Sequence, residues 1–253
     1  MEIKYVDVIL PNFNKDKYLD EAIKSVLDQS YKYWKLYIID DCSNDDSIKI
    51  LNKYKDNKKI IIKKLYKNKG PSFCRNYGLR ISSADFVAFI DSDDIWKKDK
   101  LSDQMQFMIK NDYKFSFTDY TPFLQEDNNK KFLKPTKIIK EFNLNKFIKN
   151  SSINTTTMVL SRLLIKNLKF KKIKKLEDYL FKCQIFQNGH KAFKCETNSA
   201  YYRILKISRS SEKVKNIFYL WQINRDYLKL NIFENVLSVI MIAYNSVKKY
   251  GIK

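Results

Sequence analysis

With 253 residues, the chain has room for one substantial domain and a C-terminal extension. Hydrophobic content of 44% and aromatic content of 15% exclude disorder as its main state. The net charge of +21 makes the surface attractive to nucleotide phosphates, nucleic acid or an anionic membrane face, although most single lysines read as solvated surface.

Four cysteines, Cys42, Cys74, Cys183 and Cys195, form no Cys-x-x-Cys pair, and His190 is the single histidine. A zinc site, a disulfide scaffold and a histidine-based triad therefore have no footing, and a cytoplasmic location is expected. Carboxylates and a metal are left to carry any chemistry. The apolar stretch at 5–10 is too short for a secretory leader and contains Asp7. The apolar segment 232–247 is broken by Glu234, Asn235 and Asn245, and falls short of a membrane-spanning helix.

In chain order, residues 5–10 read as a strand ending in a turn-rich break at 11–14. Leu19, Ala22, Ile23, Val26 and Leu27 follow at the spacing of one helix face. A strand is expected at 36–39, a helix at 45–55, a strand at 60–65 and a helix carrying Cys74, Arg75, Asn76 and Leu79. Residues 86–90 form the next apolar run. This alternation predicts a largely parallel sheet with helices on both faces.

Beyond Trp96 the pattern gives a helix with Leu101, Met105 and Met108, a strand at 115–120 and a polar loop at 126–131. A strand at 155–160, a helix at 177–187 and short strands at 192–194 and 200–204 follow. Two helices, at 214–230 and 232–249, close the chain. The last is apolar over a wide arc. It is expected to pack on the body, to meet a second copy in a homodimer, or to lie on an anionic membrane.

The run at 86–90 ends in Asp91-Ser92-Asp93-Asp94, and the strand at 36–39 ends in Asp40-Asp41. Parallel strands end on one edge of their sheet, where ligands gather. Like charges crowded there repel unless a cation neutralises them. A nucleotide carrying Mn²⁺ or Mg²⁺ resolves the conflict: Asp93 and Asp94 hold the metal between phosphates, Asp41 accepts from the base, and Phe13 stacks on it. An Asp N-cap at the next helix explains the acidic turn equally well on these residues alone, and Phe13 also reads as a core aromatic.

The ordered set Val8-Ile9-Leu10-Pro11-Asn12-Phe13-Asn14, Ile39-Asp40-Asp41-Cys42-Ser43-Asn44-Asp45, Asn68 to Gly78, Asp91 to Trp96 and Glu177-Asp178 resembles glycosyltransferase family 2, the nucleotide-sugar transferases of GT-A fold. It is most similar to the branch that builds bacterial surface polysaccharides, including teichuronic-acid and O-antigen enzymes. The tail segments Tyr202-Arg203, 208–213 and 221–225 add to this more loosely. The resemblance implies an α/β GT-A catalytic domain over 1–210, with a nucleotide-binding half at 1–96 and an acceptor half at 97–210. A helical extension would span 211–253.

The same resemblance places the nucleotide on Pro11, Phe13, Asn14, Asp41, Arg75, Asp91 and Asp93, and the metal on Asp93 and Asp94. Asp178 becomes the catalytic base, with Glu177 and Trp96 in acceptor or supporting positions. Without the resemblance, Glu177-Asp178 reads as an acidic first turn of a helix. Cys42 departs from the glycine the family often carries there. The implied reaction is inverting transfer from a nucleotide-sugar, expected to be a UDP-sugar, to a glycan or lipid-linked acceptor. Peripheral contact with the inner membrane face is expected.

Two other readings compete. A nucleotidyltransferase also uses a nucleotide, a metal and paired acids, but Pro11-Asn12-Phe13-Asn14 offers no glycine-rich phosphate loop. A nucleic-acid binder would suit the charge, but no recognised motif for one is present.

Overall fold

The computed structural model describes residues 3–126, 129–205 and 213–250. In chain order the elements are β1 (Val6–Asn12), α1 (Asp16–Leu27), β2 (Trp34–Asp40), α2 (Ser47–Asn52), β3 (Ile60–Lys64), α3 (Pro71–Ile81), β4 (Phe86–Phe89), β5 (Ile95–Trp96), α4 (Lys100–Asn111), β6 (Phe115–Glu126) and β7 (Asn129–Phe132). They continue with β8 (Glu141–Phe142), α5 (Leu144–Phe147), β9 (Val159–Ser161), α6 (Arg162–Ile165), α7 (Glu177–Gln187), β10 (Ala192–Ile204), α8 (Lys213–Asp226) and α9 (Ile232–Tyr250).

One sheet runs in the order β3-β2-β1-β4-β9-β6-β10-β5. The pairs β3/β2, β2/β1 and β1/β4 are parallel. β9 is antiparallel to both β4 and β6, so β6 keeps the direction of β4, and β10 runs parallel to β6. The C-terminal ends of β1, β2 and β4 therefore share one edge, as the alternating pattern requires. The apolar runs of these strands are buried, with Val8, Ile9, Leu10, Ile38, Ile39, Ala88 and Phe89 all at 0% exposure.

Glycine placement explains how α3 reaches this edge. Gly70 adopts φ +83°, open to glycine, and Pro71 then starts the helix where a missing N–H costs nothing. Gly78 lets α3 lie directly on β1, since a Cβ there would sit 2.7 Å from Ile9 Cγ2. Cys42 has φ +64°, a left-handed conformation that costs a residue with a Cβ more than it costs glycine.

Several elements differ from expectation. β1 continues through Pro11 and Asn12, paired with Ile39 and Asp40; Pro11 has no N–H to donate, and it is tolerated here because β4 has already ended its pairing at Ile9. The helix expected at 45–55 is confined to α2. The polar run expected as a loop at 126–131 instead supplies β7, an exposed edge strand paired with β6; residues 127–128 lie outside the described residues. Thr155–Thr157 is a buried 3₁₀ turn, and only Val159–Ser161 is a strand. The two short strands at 192–194 and 200–204 are one strand, β10, whose pairing with β6 shifts register between Lys194 and Ala200. The boundary expected at 210 lies outside the described residues.

α9 departs from the usual amphipathic arrangement. Val239 and Ile242 pack on the core, but its most deeply buried residues, Asn235 and Ser238, are polar: Asn224 Nδ2 of α8 donates to Asn235 Oδ1 (3.1 Å) and Ser238 Oγ (2.9 Å), and Ser238 Oγ donates to Ile148 O (2.5 Å). Its outward residues are apolar, with Ile232 and Phe233 nearly four-fifths exposed and Ile240 and Tyr244 more than half exposed. No helix among the described residues is long and apolar enough to cross a membrane.

Candidate active site

The strand-end residues meet along the shared edge. Asp40 is fully buried and accepts from Asn12 Nδ2 (2.8 Å), Ser43 N (3.0 Å) and Ser43 Oγ (2.6 Å). Asp41 accepts from the backbone N–H groups of Lys69 and Gly70, both at 2.7 Å. It therefore pins the loop leading into α3. Asn14, at φ +49°, staples two loops: its N–H donates to Ser43 Oγ (3.0 Å) and its Oδ1 accepts from Asn44 N (2.9 Å). Phe13 stands beside them 44% exposed, so it is a surface aromatic and not part of the core.

The acidic turn after β4 closes with Asp94 N donating to Asp91 O at 3.0 Å. Its three carboxylates point to three different partners. Asp91 pairs with Arg75 (2.7 Å), Asp93 with Lys15 (2.8 Å), and Asp94 Oδ1 accepts from Arg203 N (3.0 Å). Arg203 also donates to Asp93 O (2.8 Å) and Glu21 (2.6 Å), and packs over the Tyr18 ring. Asp94 is 1% exposed and its Oδ2 is buried with no hydrogen-bond partner. Burial, reinforced by Asp93 and Asp91, pushes the Asp94 carboxyl well above the usual carboxylate range.

Arg75 joins this turn to α7. Its guanidinium is buried, reaching Asp91 on one side and Glu177 Oε1 (3.3 Å) on the other, above the Phe170 ring. Burial alone would lower its pKa, but Asp91, Glu177 and Asp178 outweigh that and hold it charged. Asp178 lies in the next position of α7. It accepts from Lys182 Nζ (2.8 Å), one helical turn on, and from Thr155 Oγ1 (3.2 Å). Its surroundings desolvate it, which raises its pKa, yet Lys182, Arg75 and Thr155 win and hold it below the usual range. Its side chain nevertheless keeps 37% exposure, so it is ionised and reachable.

Contacts thus run along this edge from Asp41 through the Lys69 and Gly70 backbone to α3, and from Arg75 of α3 to Asp91 and to Glu177 beside Asp178, with Phe13, Asp93 and Asp94 at neighbouring strand ends. Pro11 is the penultimate residue of β1. Trp96 is buried: its indole N–H donates to Thr156 O (2.8 Å), so it supports the turn carrying Thr155. Lys15, Thr155, Lys182 and Arg203 escaped the sequence reading as site residues. Lys182 was legible, four residues after Asp178 on one helix; Lys15 and Arg203 are brought in only by the tertiary fold.

Among the described residues, no three His, Cys, Asp or Glu side chains form a ready-made metal cage. Asp93 and Asp94 nonetheless fit a divalent cation. The orphaned Asp94 Oδ2 is a hard oxygen awaiting a partner, and Asp93 already faces a positive charge on Lys15.

The glycosyl transferase family 2 model matches residues 7–206. A Bacillus subtilis glycosyltransferase named for teichuronic acid biosynthesis, TuaG, is 32% identical over 246 residues, covering 96% of each chain. The Escherichia coli UDP-Glc:alpha-D-GlcNAc-diphosphoundecaprenol beta-1,3-glucosyltransferase WfgD is 32% identical over 245 residues, covering 97% of this chain and 93% of its own. The crystal structure of S. aureus TarS 1-349 in complex with UDP-GlcNAc superposes with a TM-score of 0.75 at 22% identity, covering 96% of this chain and 73% of that one. That likeness identifies the fold as GT-A. With the matched model spanning the sheet, the acidic turn and the start of α7, this chain belongs to glycosyl transferase family 2.

Proposed function

We propose that the chain transfers a sugar, with inversion, from a UDP-sugar to a hydroxyl of a glycan or lipid-linked acceptor during bacterial surface-polysaccharide synthesis. The relatives named for teichuronic acid and for a diphosphoundecaprenol-linked acceptor support the pathway class, and the UDP-GlcNAc complex of a GT-A neighbour supports the donor. The observation that carries the reading is Arg75, which ties the acidic donor turn to the helix bearing Asp178. With the family established, the nucleotidyltransferase and nucleic-acid readings no longer compete.

In this reading Phe13 stacks on the base, and Asp41 shapes the base pocket directly and through Lys69 and Gly70. A divalent cation, Mn²⁺ or Mg²⁺, on Asp93 and Asp94 supplies Lewis-acid stabilisation of the departing diphosphate. Asp178 takes the proton of the attacking hydroxyl. Lys182 and Arg75 keep Asp178 ionised, so the acid limb of its activity falls below the ordinary carboxylate range. The cost is weaker basicity, offset by placement. Arg75 and Glu177 fix where α7 starts relative to the donor.

The outward apolar face of α9 and the net charge of +21 support docking on the anionic inner face of the cytoplasmic membrane, where a lipid-linked acceptor resides. The test is a panel of UDP-, GDP- and TDP-sugars with Mn²⁺, read by thermal shift and then by transfer. UDP-sugars should stabilise the protein. Asp94→Asn should weaken metal-dependent UDP binding, while Asp178→Asn keeps it and loses roughly 10²–10⁴-fold in turnover. Near-normal transfer by Asp178→Asn removes the assigned base.

A further inference from the structure

Arg75, Arg203 and Lys15 all meet the acidic turn after β4, but they differ in freedom. Arg75 is buried between Asp91 and Glu177. Arg203 has no side-chain exposure; Glu21 and Asp93 O hold it, and the Tyr18 and Phe123 rings sandwich it at 4.4 and 4.5 Å. Lys15 is freer. Its side chain is 28% exposed, and its ammonium rests on Asp93 Oδ2 at 2.8 Å.

The backbone of Lys15 is fixed, while its four-carbon stem is not. Its N–H donates to Ser47 Oγ (3.4 Å), and its carbonyl accepts from the Tyr18 and Leu19 N–H groups, both at 2.9 Å. Lys15 follows Asn14, which staples the two loops, and stands two places after Phe13. The stem therefore starts beside the ring assigned to the base and ends at a carboxylate assigned to the cation. That is the direction a nucleotide runs from base to phosphates.

The ion pair also stands where the cation must bind. An ammonium and a divalent cation on one carboxylate oxygen repel at such short range. A partly exposed ion pair is weak enough to give way. Once off Asp93, the ammonium faces the negative charges that arrive with the cation, the phosphate oxygens of the donor. We propose that Lys15 is an exchange cation: it neutralises Asp93 in the empty site, yields that oxygen as cation and nucleotide bind together, and moves to the donor diphosphate. There it donates charge-assisted hydrogen bonds and stabilises the charge that grows on the leaving group. This rests on the glycosyl-transfer reading above. It makes the cation and the nucleotide bind interdependently, because a cation alone displaces Lys15 without offering it another anion.

The test is binding to the full chain, read without turnover, for the wild type, Lys15→Met and Lys15→Gln. Electron paramagnetic resonance follows Mn²⁺ without nucleotide; calorimetry follows UDP and uridine in the presence of Mn²⁺. Both variants should bind Mn²⁺ alone roughly two- to five-fold more tightly than the wild type. Both should bind UDP in Mn²⁺ roughly ten-fold or more weakly. Uridine affinity should not change, since Phe13 and Asp41 remain. Unchanged or weaker binding of Mn²⁺ alone overturns the placeholder role, and with it the proposal. Unchanged UDP affinity overturns the move to the diphosphate. An equal loss for uridine assigns the effect to a disturbed base pocket and overturns the proposal too. Absence of UDP binding by the wild type would instead defeat the glycosyl-transfer reading itself.

Discussion

Replacing Arg75 by methionine removes the guanidinium that faces Asp91 and Glu177 while preserving most of the stem volume. The Glu177 side chain is only 7% exposed, so its carboxylate is left in a low-dielectric site without the charge opposite it. Asp91 is 33% exposed and water compensates it in part. Breaking a buried pair from one side costs about 3–5 kcal/mol; with Asp91 discounted, the lower end, about 3 kcal/mol, applies. For a chain of this size that lowers Tm by roughly 6–12 °C. The companion variant Glu177→Gln removes the carboxylate that faced the guanidinium, so Arg75→Met/Glu177→Gln should be more stable than the sum of the single changes by about 1–3 kcal/mol. Urea unfolding of the four proteins, monitored by tryptophan fluorescence, measures this cycle. Additivity within about 0.5 kcal/mol would refute the bridge as an energetic link between the donor turn and α7.

Lys100 is buried against the Trp96 ring (4.3 Å) and donates to Gln104 Oε1 (2.6 Å); burial pulls its pKa down to about 7 from an ordinary 10.5. Between these values the unfolded chain holds a proton that the folded chain has lost, so this residue makes stability rise with pH by up to about 1.4 kcal/mol per pH unit. Unfolding at pH 7, 8 and 9 should show that rise flattened in Lys100→Met; parallel curves would contradict the assignment. Phe13→Ala should leave the fold unchanged, since the ring is 44% exposed, but lower UDP affinity roughly five-fold or more. Titration with UDP reads it, and unchanged affinity excludes base stacking.

The donor half was legible because buried parallel strands are short, apolar and ended by turn residues, as at 36–39 and 86–90. Failures came where burial and polarity part company. β7 is exposed along its length and carries no apolar signal. The 3₁₀ turn at Thr155–Thr157 is β-branched like a strand, yet Thr155 and Thr157 are turned to donate their hydroxyls to Asp178 and Asn154 O. β10 looked like two strands because its register shifts between them. α9 seats Asn235 and Ser238 inward, which no period-based reading anticipates. Within the site, Asp91, Asp93, Asp94 and Asp178 were visible as motifs. Their partners were not, because Lys15 and Arg203 are ordinary cations until the fold brings them 78 and 110 residues along the chain to Asp93.

The central claim is a single displacement at the anomeric carbon, with Asp178 receiving the hydroxyl proton on the side opposite the departing diphosphate. Proton NMR of the first product formed from an α-linked UDP-sugar tests it most directly. A β-linked product, lost in Asp178→Asn, is the predicted result; an α-linked product from the wild type would contradict it.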